Sequence, residues 1–106
     1  MKLLFDQGTP IPLRKHLPHH IVETAYEKGW GNLKNGDLIT LAEAEGFDVL
    51  ITTDQNLRYQ QNLSGRRIGV IVLMTTSWPR IKKNAVLVVQ AIDNLHPGSY
   101  EEIDFP

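Results

Sequence analysis

Short apolar runs separated by polar turns set the pattern of this chain. Two unbroken runs, at positions 49–51 and 68–74, are too short to stand as independent helices. Such runs are typical of strands that are covered on both faces of a parallel sheet. A third run at 2–5 and mixed patterns at 19–25 and 99–105 predict further strands, the last of them at an edge of the sheet.

Between these runs, apolar residues recur at the spacing that is typical of helices. Leu38, Leu41 and Ala42 fall on neighbouring turns of a predicted helix. This helix is expected to begin near Asn35 and to end at Gly46, because glycine is the residue that most readily terminates a helix.

A longer helix is predicted after the fourth strand. Ser77 can cap its N-terminus, and apolar residues recur at helical spacing until about His96. A short helix is expected at 11–17, and a helix or loop at 55–62. Alternating strands and helices favour an α/β fold in one domain, 1–106, with a mostly parallel central sheet and helices on both faces.

Composition narrows the functional classes only slightly. The 106 residues are 42% hydrophobic and 22% charged, and the net charge of -1 gives no overall attraction to nucleic acid, so RNA binding would need a local patch. Without cysteine there is no disulfide and no thiolate metal site. No signal pattern or membrane-length apolar run is present, so we expect a cytoplasmic protein without membrane contact. The apolar elements would support a homodimer without requiring one.

Carboxylates follow two of the predicted strands. Asp6 comes directly after the first strand, and two threonines and Asp54 follow the central one. Ligands of open α/β sheets bind in the crevice at the carboxyl ends of the strands. Two carboxylates at one edge repel each other unless a proton or a cation relieves the repulsion, which is the argument for a metal site. An aspartate after a strand also serves as a helix N-cap, and the residues alone leave both interpretations open.

Asp37 supplies a third candidate carboxylate, in the first turn of the predicted middle helix. The helix dipole favours an acidic residue there without any function, so position alone does not decide its role. Three converging carboxylates would favour Mg²⁺ or Mn²⁺, hard ions that prefer oxygen ligands and keep waters for a phosphate-bearing substrate. We therefore take Asp6, Asp37 and Asp54 as the candidate catalytic and metal-binding residues.

Four further residues are candidates for substrate binding. Thr53 and Asn56, beside the second carboxylate, could hold the substrate, although turn and cap roles are the common alternative for such residues. Arg14, in a local patch of basic and histidine residues, and Arg58 could grip the phosphates of an RNA backbone. A charge cluster is more often a solvated surface, so the sequence does not decide whether this patch binds RNA or only contacts solvent.

Several segments together resemble the small prokaryotic PIN-like proteins, namely residues 3–7, 29–30, 33–37, 47–54 and 60–63. The resemblance runs along nearly the whole chain. It implies a three-layer α/β nuclease fold with clustered acidic residues around magnesium or manganese. Many members of the family are ribonuclease toxins of type II toxin–antitoxin modules. The resemblance thus implies a metal-dependent endoribonuclease with RNA as its substrate and a cognate antitoxin as a candidate partner.

The acidic positions of the family pattern are matched here by Asp6, Asp37 and Asp54. Two departures affect the metal site that the resemblance implies. Gly8 stands where many relatives have asparagine, and Asn56 stands where full PIN domains often have another aspartate. Fewer anionic ligands imply weaker metal binding, and hence catalysis that is feeble, restricted to a particular RNA, or lost.

Two other classes remain open from the sequence. A non-catalytic PIN-like module would bind RNA or a protein, and its low metal affinity would distinguish it from a nuclease. A phosphoacceptor signalling domain also has carboxylates after its first and third strands and a hydroxyl, here Thr75 or Thr76, after its fourth. Such domains need a lysine after the last strand, and no lysine follows Lys83.

Overall fold

Five parallel strands form the central sheet of the computed structural model, which describes residues 1–57, 63 and 65–106. Their order across the sheet is β2-β1-β3-β4-β5, and every neighbouring pair is parallel. The predicted α/β class with a parallel sheet is confirmed, as is the edge position of the last strand. The strands are β1 (Lys2–Phe5), β2 (Ile21–Thr24), β3 (Val49–Thr52), β4 (Gly69–Leu73) and β5 (Tyr100–Ile103).

Apolar side chains on alternate positions of the strands feed two cores, one on each face of the sheet. Leu3 and Phe5 pack with one core, whereas Leu4 points into the other. Every residue of β3 and β4 is buried, which explains their unbroken apolar runs. Trp30 packs edge-on against Phe47, with ring centroids 6.1 Å apart, and so covers the second core.

Helices cover both faces. The predicted middle helix is confirmed, and Gly46 takes the left-handed conformation (φ +84°) just beyond its end. The first core packs under the 3₁₀ helix and the two C-terminal helices, and the second packs under α1. The described helical segments are a 3₁₀ helix (Ile11–His16), α1 (Asn35–Ala44), α2 (Trp78–Lys83) and α3 (Ala85–Asp93).

The prediction of one long helix after Ser77 is wrong, because the helix breaks at Asn84 into α2 and α3. Asn84 has φ -124° and ψ 27°, outside the helical region. Its side chain donates to the carbonyl of Arg80 (3.0 Å), the acceptor that its backbone N–H would use in a continuous helix. That N–H bonds to Ile81 instead (3.0 Å). An asparagine that competes with the backbone in this way is a known interruption of a helix.

The strand order places a switch point between β1 and β3, because the chain leaves β1 toward β2 on one side and returns to β3 on the other. Within the described residues, no helix is long and apolar enough to span a bilayer. Arg58, residues 60–62 of the PIN-like resemblance, and most of the 55–62 helix-or-loop prediction lie outside the described residues.

Candidate functional site

The two predicted carboxylates lie at the switch point. Phe5 pairs with Ile51 in the ladder between β1 and β3, and the backbone N–H of Asp6 bonds to the carbonyl of Ile51 (3.1 Å). Asp6 therefore emerges beside Thr52 at the end of β3, and Asp54 follows after Thr53. The structure brings both aspartates to the edge where ligands of such sheets bind.

Thr52 connects the two aspartates through a single hydroxyl. Its Oγ1 donates a hydrogen bond to Asp6 Oδ2 and accepts one from the backbone N–H of Asp54 (3.0 Å). The side chain of Thr52 is completely buried at the end of β3. The carboxylate of Asp6 is thus held in a fixed position relative to the backbone that carries Asp54.

The other oxygen of Asp6 is held by Thr9. Asp6 Oδ1 accepts from the backbone N–H of Thr9 (3.1 Å) and from its hydroxyl (2.8 Å), which also lies 2.8 Å from the carbonyl of Ile51. Burial raises the pKa of Asp6 above its ordinary 3.8, and hydrogen bonds from Thr52, Thr9 and the backbone of Gly8 oppose that rise. Asp6 is a desolvated carboxylate whose described hydrogen-bond donors are all neutral. A bound cation would therefore relieve the cost of desolvating its charge.

Asp54 is held by a different set of donors. Its Oδ2 accepts a hydrogen bond from the side-chain amide of Asn35, the first residue of α1. Its Oδ1 accepts from the backbone N–H of Asn56 (3.0 Å), which closes a tight turn after β3. Asn35 is therefore a site residue, although its position in the sequence indicates only the start of a helix. Asn56 contributes its backbone, while its side chain is exposed.

Asp37 is exposed in the first turn of α1. Across residues 1–57, 63 and 65–106, no group of three or more histidine, cysteine, aspartate or glutamate side chains is placed to hold a metal ion. The Thr52 hydroxyl joins the carboxylate of Asp6 to the backbone N–H of Asp54, whereas no bond in this part of the chain ties Asp37 to either residue. The role predicted for Asp37 therefore stays a prediction.

Gly8 and Thr53 pack against each other beside Asp6. A Cβ on Gly8 would collide with Thr53 Oγ1 and would lie 3.8 Å from Asp6 Oδ1. The loop after β1 can approach the end of β3 this closely because Gly8 has no side chain. Thr53 is half-buried at the site, in keeping with its candidate role.

Arg14 is already engaged with a carboxylate. Its two terminal nitrogens bond to the two carboxylate oxygens of Glu27, at 3.2 and 2.7 Å. The hydrogen bonds from Arg14 hold the pKa of Glu27 below its ordinary value. To bind an RNA phosphate, Arg14 would have to leave Glu27 and form a new bidentate pair with the phosphate. An arginine that only faces solvent would have no such pair to exchange.

The groups at the switch point that could act as metal ligands are oxygen atoms and one neutral amide. Two carboxylates, threonine hydroxyls and the amide of Asn35 form a set that suits a hard cation and not zinc or copper. Mg²⁺ commonly binds through one or two carboxylates and keeps several waters. The residues present therefore fit magnesium or manganese.

Comparison of the chain with protein-family models, curated proteins and solved structures finds no match in any of the three. The PIN-like resemblance thus rests on the residues that carry it, and it stays a prediction. The fold and the geometry around Asp6 and Asp54 stand independently of that resemblance.

Proposed function

We propose that this protein is a metal-dependent ribonuclease in which Asp6 and Asp54 bind Mg²⁺ or Mn²⁺ at the carboxyl ends of β1 and β3. The observation that carries the proposal is the hydroxyl of Thr52, which ties a desolvated carboxylate to the backbone of a second one at the switch point. A desolvated carboxylate is costly when it is charged without a counter-ion, and a cation would relieve that cost.

A bound ion would lower the pKa of a water ligand and stabilise the charge that develops on the phosphate. The protein's own residues have positioning tasks. Thr52 and Thr9 orient Asp6, and Asn35 orients Asp54, so that the carboxylate oxygens are fixed before the ion arrives. Asp37, in the first turn of α1, would be the third residue that holds the ion.

The remaining parts of the proposal concern substrate and partners. In this proposal Thr53 and Asn56 would hold the substrate, and Arg14 and Arg58 would bind the RNA backbone. The PIN-like resemblance supports a toxin of a type II toxin–antitoxin module, located in the cytoplasm and paired with a cognate antitoxin, with a homodimer as a further candidate assembly.

The experiment is cleavage of a mixed RNA pool by purified protein with magnesium, manganese or a chelator. We expect metal-dependent cutting that is lost in Asp6→Asn and in Asp54→Asn. Asp48→Asn is the matched control. Asp48 lies just before β3, at the opposite end of that strand from Asp54, and its carboxylate accepts a hydrogen bond from the backbone N–H of Lys2 (2.8 Å). Cutting that survives in both site variants would overturn the proposal.

Two alternatives predict different results in that experiment. A non-catalytic module would bind RNA or protein without cutting under any metal. A phosphoacceptor domain is favoured by the strand order, which doubly wound signalling domains share. It is disfavoured because no lysine follows Lys83 to contact a phosphoryl group.

A further inference from the structure

Half-buried apolar residues border the first core along α3 and just beyond its end. Val88 and Ile92 are fully buried against the sheet. Leu87 and Ala91 of α3 and Leu95, two residues beyond its end, recur at every fourth position; they pack against the first core and are only half-buried. These three residues line a groove of about 410 Å³ between α3 and the edge strand β5. The groove falls in the size range of ligand-binding clefts.

The strand side of this groove is acidic. Glu101 and Asp104 line it and are exposed, and Glu101 lies on the same face of β5 as the buried Ile103. Among the described residues, no lysine or arginine lines the groove. It therefore combines an apolar floor with a rim that carries exposed carboxylates and, among the described residues, no basic side chain other than His96.

The charge of the rim selects among possible occupants. Nucleic acid would be repelled by Glu101 and Asp104, because its backbone is anionic. A second copy packed across a two-fold axis would bring the same carboxylates of the two chains together, which is destabilising. A basic protein segment with apolar side chains would satisfy both the floor and the rim.

We propose that the groove between α3 and β5 docks a short segment of a protein partner in which apolar residues alternate with lysine or arginine. The apolar side chains pack on Leu87, Ala91 and Leu95, and the basic ones pair with Glu101 and Asp104. The groove shares no residue with the switch-point site, so this docking is independent of any nuclease activity.

The test uses a dye-labelled octapeptide of alternating leucine and lysine, with leucine–glutamate and serine–lysine octapeptides for comparison. Fluorescence anisotropy should show saturable binding of the leucine–lysine peptide alone. The double variant Glu101→Gln/Asp104→Asn should weaken that binding by about tenfold or more, and so should Ala91→Arg. Glu45→Gln, an exposed carboxylate on the other face of the sheet, should leave binding unchanged.

The unfolding midpoint of both groove variants should match that of the wild type. The double variant removes only exposed charges, so it should disturb folding less than Ala91→Arg. Failure of the leucine–lysine peptide to bind, or equal binding by all variants, would overturn the proposal. Concentration-dependent dimerisation that Ala91→Arg abolishes would also overturn it, because a second copy would then be the occupant.

Discussion

Thr52 donates a hydrogen bond from its buried hydroxyl to the carboxylate of Asp6, across the boundary between β3 and β1. The two residues are 46 positions apart in the chain and meet only because their strands are neighbours. The same hydroxyl accepts the backbone N–H of Asp54. The geometry of the candidate site therefore depends on one side chain that carries no charge.

Replacing Thr52 with valine tests this dependence, because valine keeps the shape and removes the hydroxyl. Asp6 would lose one neutral donor and the backbone N–H of Asp54 would lose its acceptor. We expect a loss of about 1–3 kcal/mol in the free energy of unfolding, measured by urea denaturation, as for other buried groups left without a partner. Thr53→Val, at the next position, is the matched control. Equal and small losses in the two variants would contradict the importance of the Thr52 hydroxyl.

The raised pKa of Asp6 predicts how stability depends on pH. Between the ordinary value of 3.8 and the raised value, the folded protein binds more protons than the unfolded chain. The stability that the neutral Asp6 contributes is therefore present at low pH and is lost as pH rises through the raised pKa. Asp6→Asn cannot ionise, so its stability relative to the wild type should grow over that range and then level off.

The measurement is the free energy of unfolding of both proteins in urea over a pH series without divalent metal. The depressed pKa values of Glu27 and Glu43 act in the opposite direction, since their contributions are lost as pH falls. Both glutamates are present in the two proteins, so their effects cancel in the difference. Parallel curves for wild type and Asp6→Asn would show that Asp6 is not the desolvated carboxylate described above.

Gly8 and Thr53 should behave as a coupled pair. A Cβ at position 8 would collide with Thr53 Oγ1, so Gly8→Ala should cost about 1–3 kcal/mol in the free energy of unfolding through overpacking. Thr53→Ala removes the colliding hydroxyl, and the double variant should recover part of that cost. A coupling free energy of about 0.5 kcal/mol or more in a double-mutant cycle is expected. Additive effects would mean that the loop after β1 moves away instead.

The sheet could be predicted from the sequence because its central strands are buried on both faces, which leaves unbroken apolar runs such as β3. The break at Asn84 could not, since apolar residues continue at helical spacing on both sides of it. It arises from a side-chain bond to Arg80 that competes locally with the helix.

The site was predictable in part for a similar reason. Asp6 and Asp54 follow strands, and parallel strands end at one edge, so their placement could be anticipated. The contact of Asn35 with Asp54 joins residues 19 positions apart, and no spacing rule predicts it. The bidentate pair between Arg14 and Glu27 depends likewise on how the turn after β2 packs.

The most direct test of the account is isothermal titration of Mn²⁺ into the metal-free protein and its variants. We expect saturable binding to the wild type that is lost in Asp6→Asn and in Asp54→Asn, is weakened in Asp37→Asn and is unchanged in Asp48→Asn. At a metal concentration about 100 times the dissociation constant, the ion should add about 2.7 kcal/mol to the free energy of unfolding. Absence of binding to the wild type, or equal binding by the Asp6 and Asp54 variants, would contradict a shared cation site at the switch point.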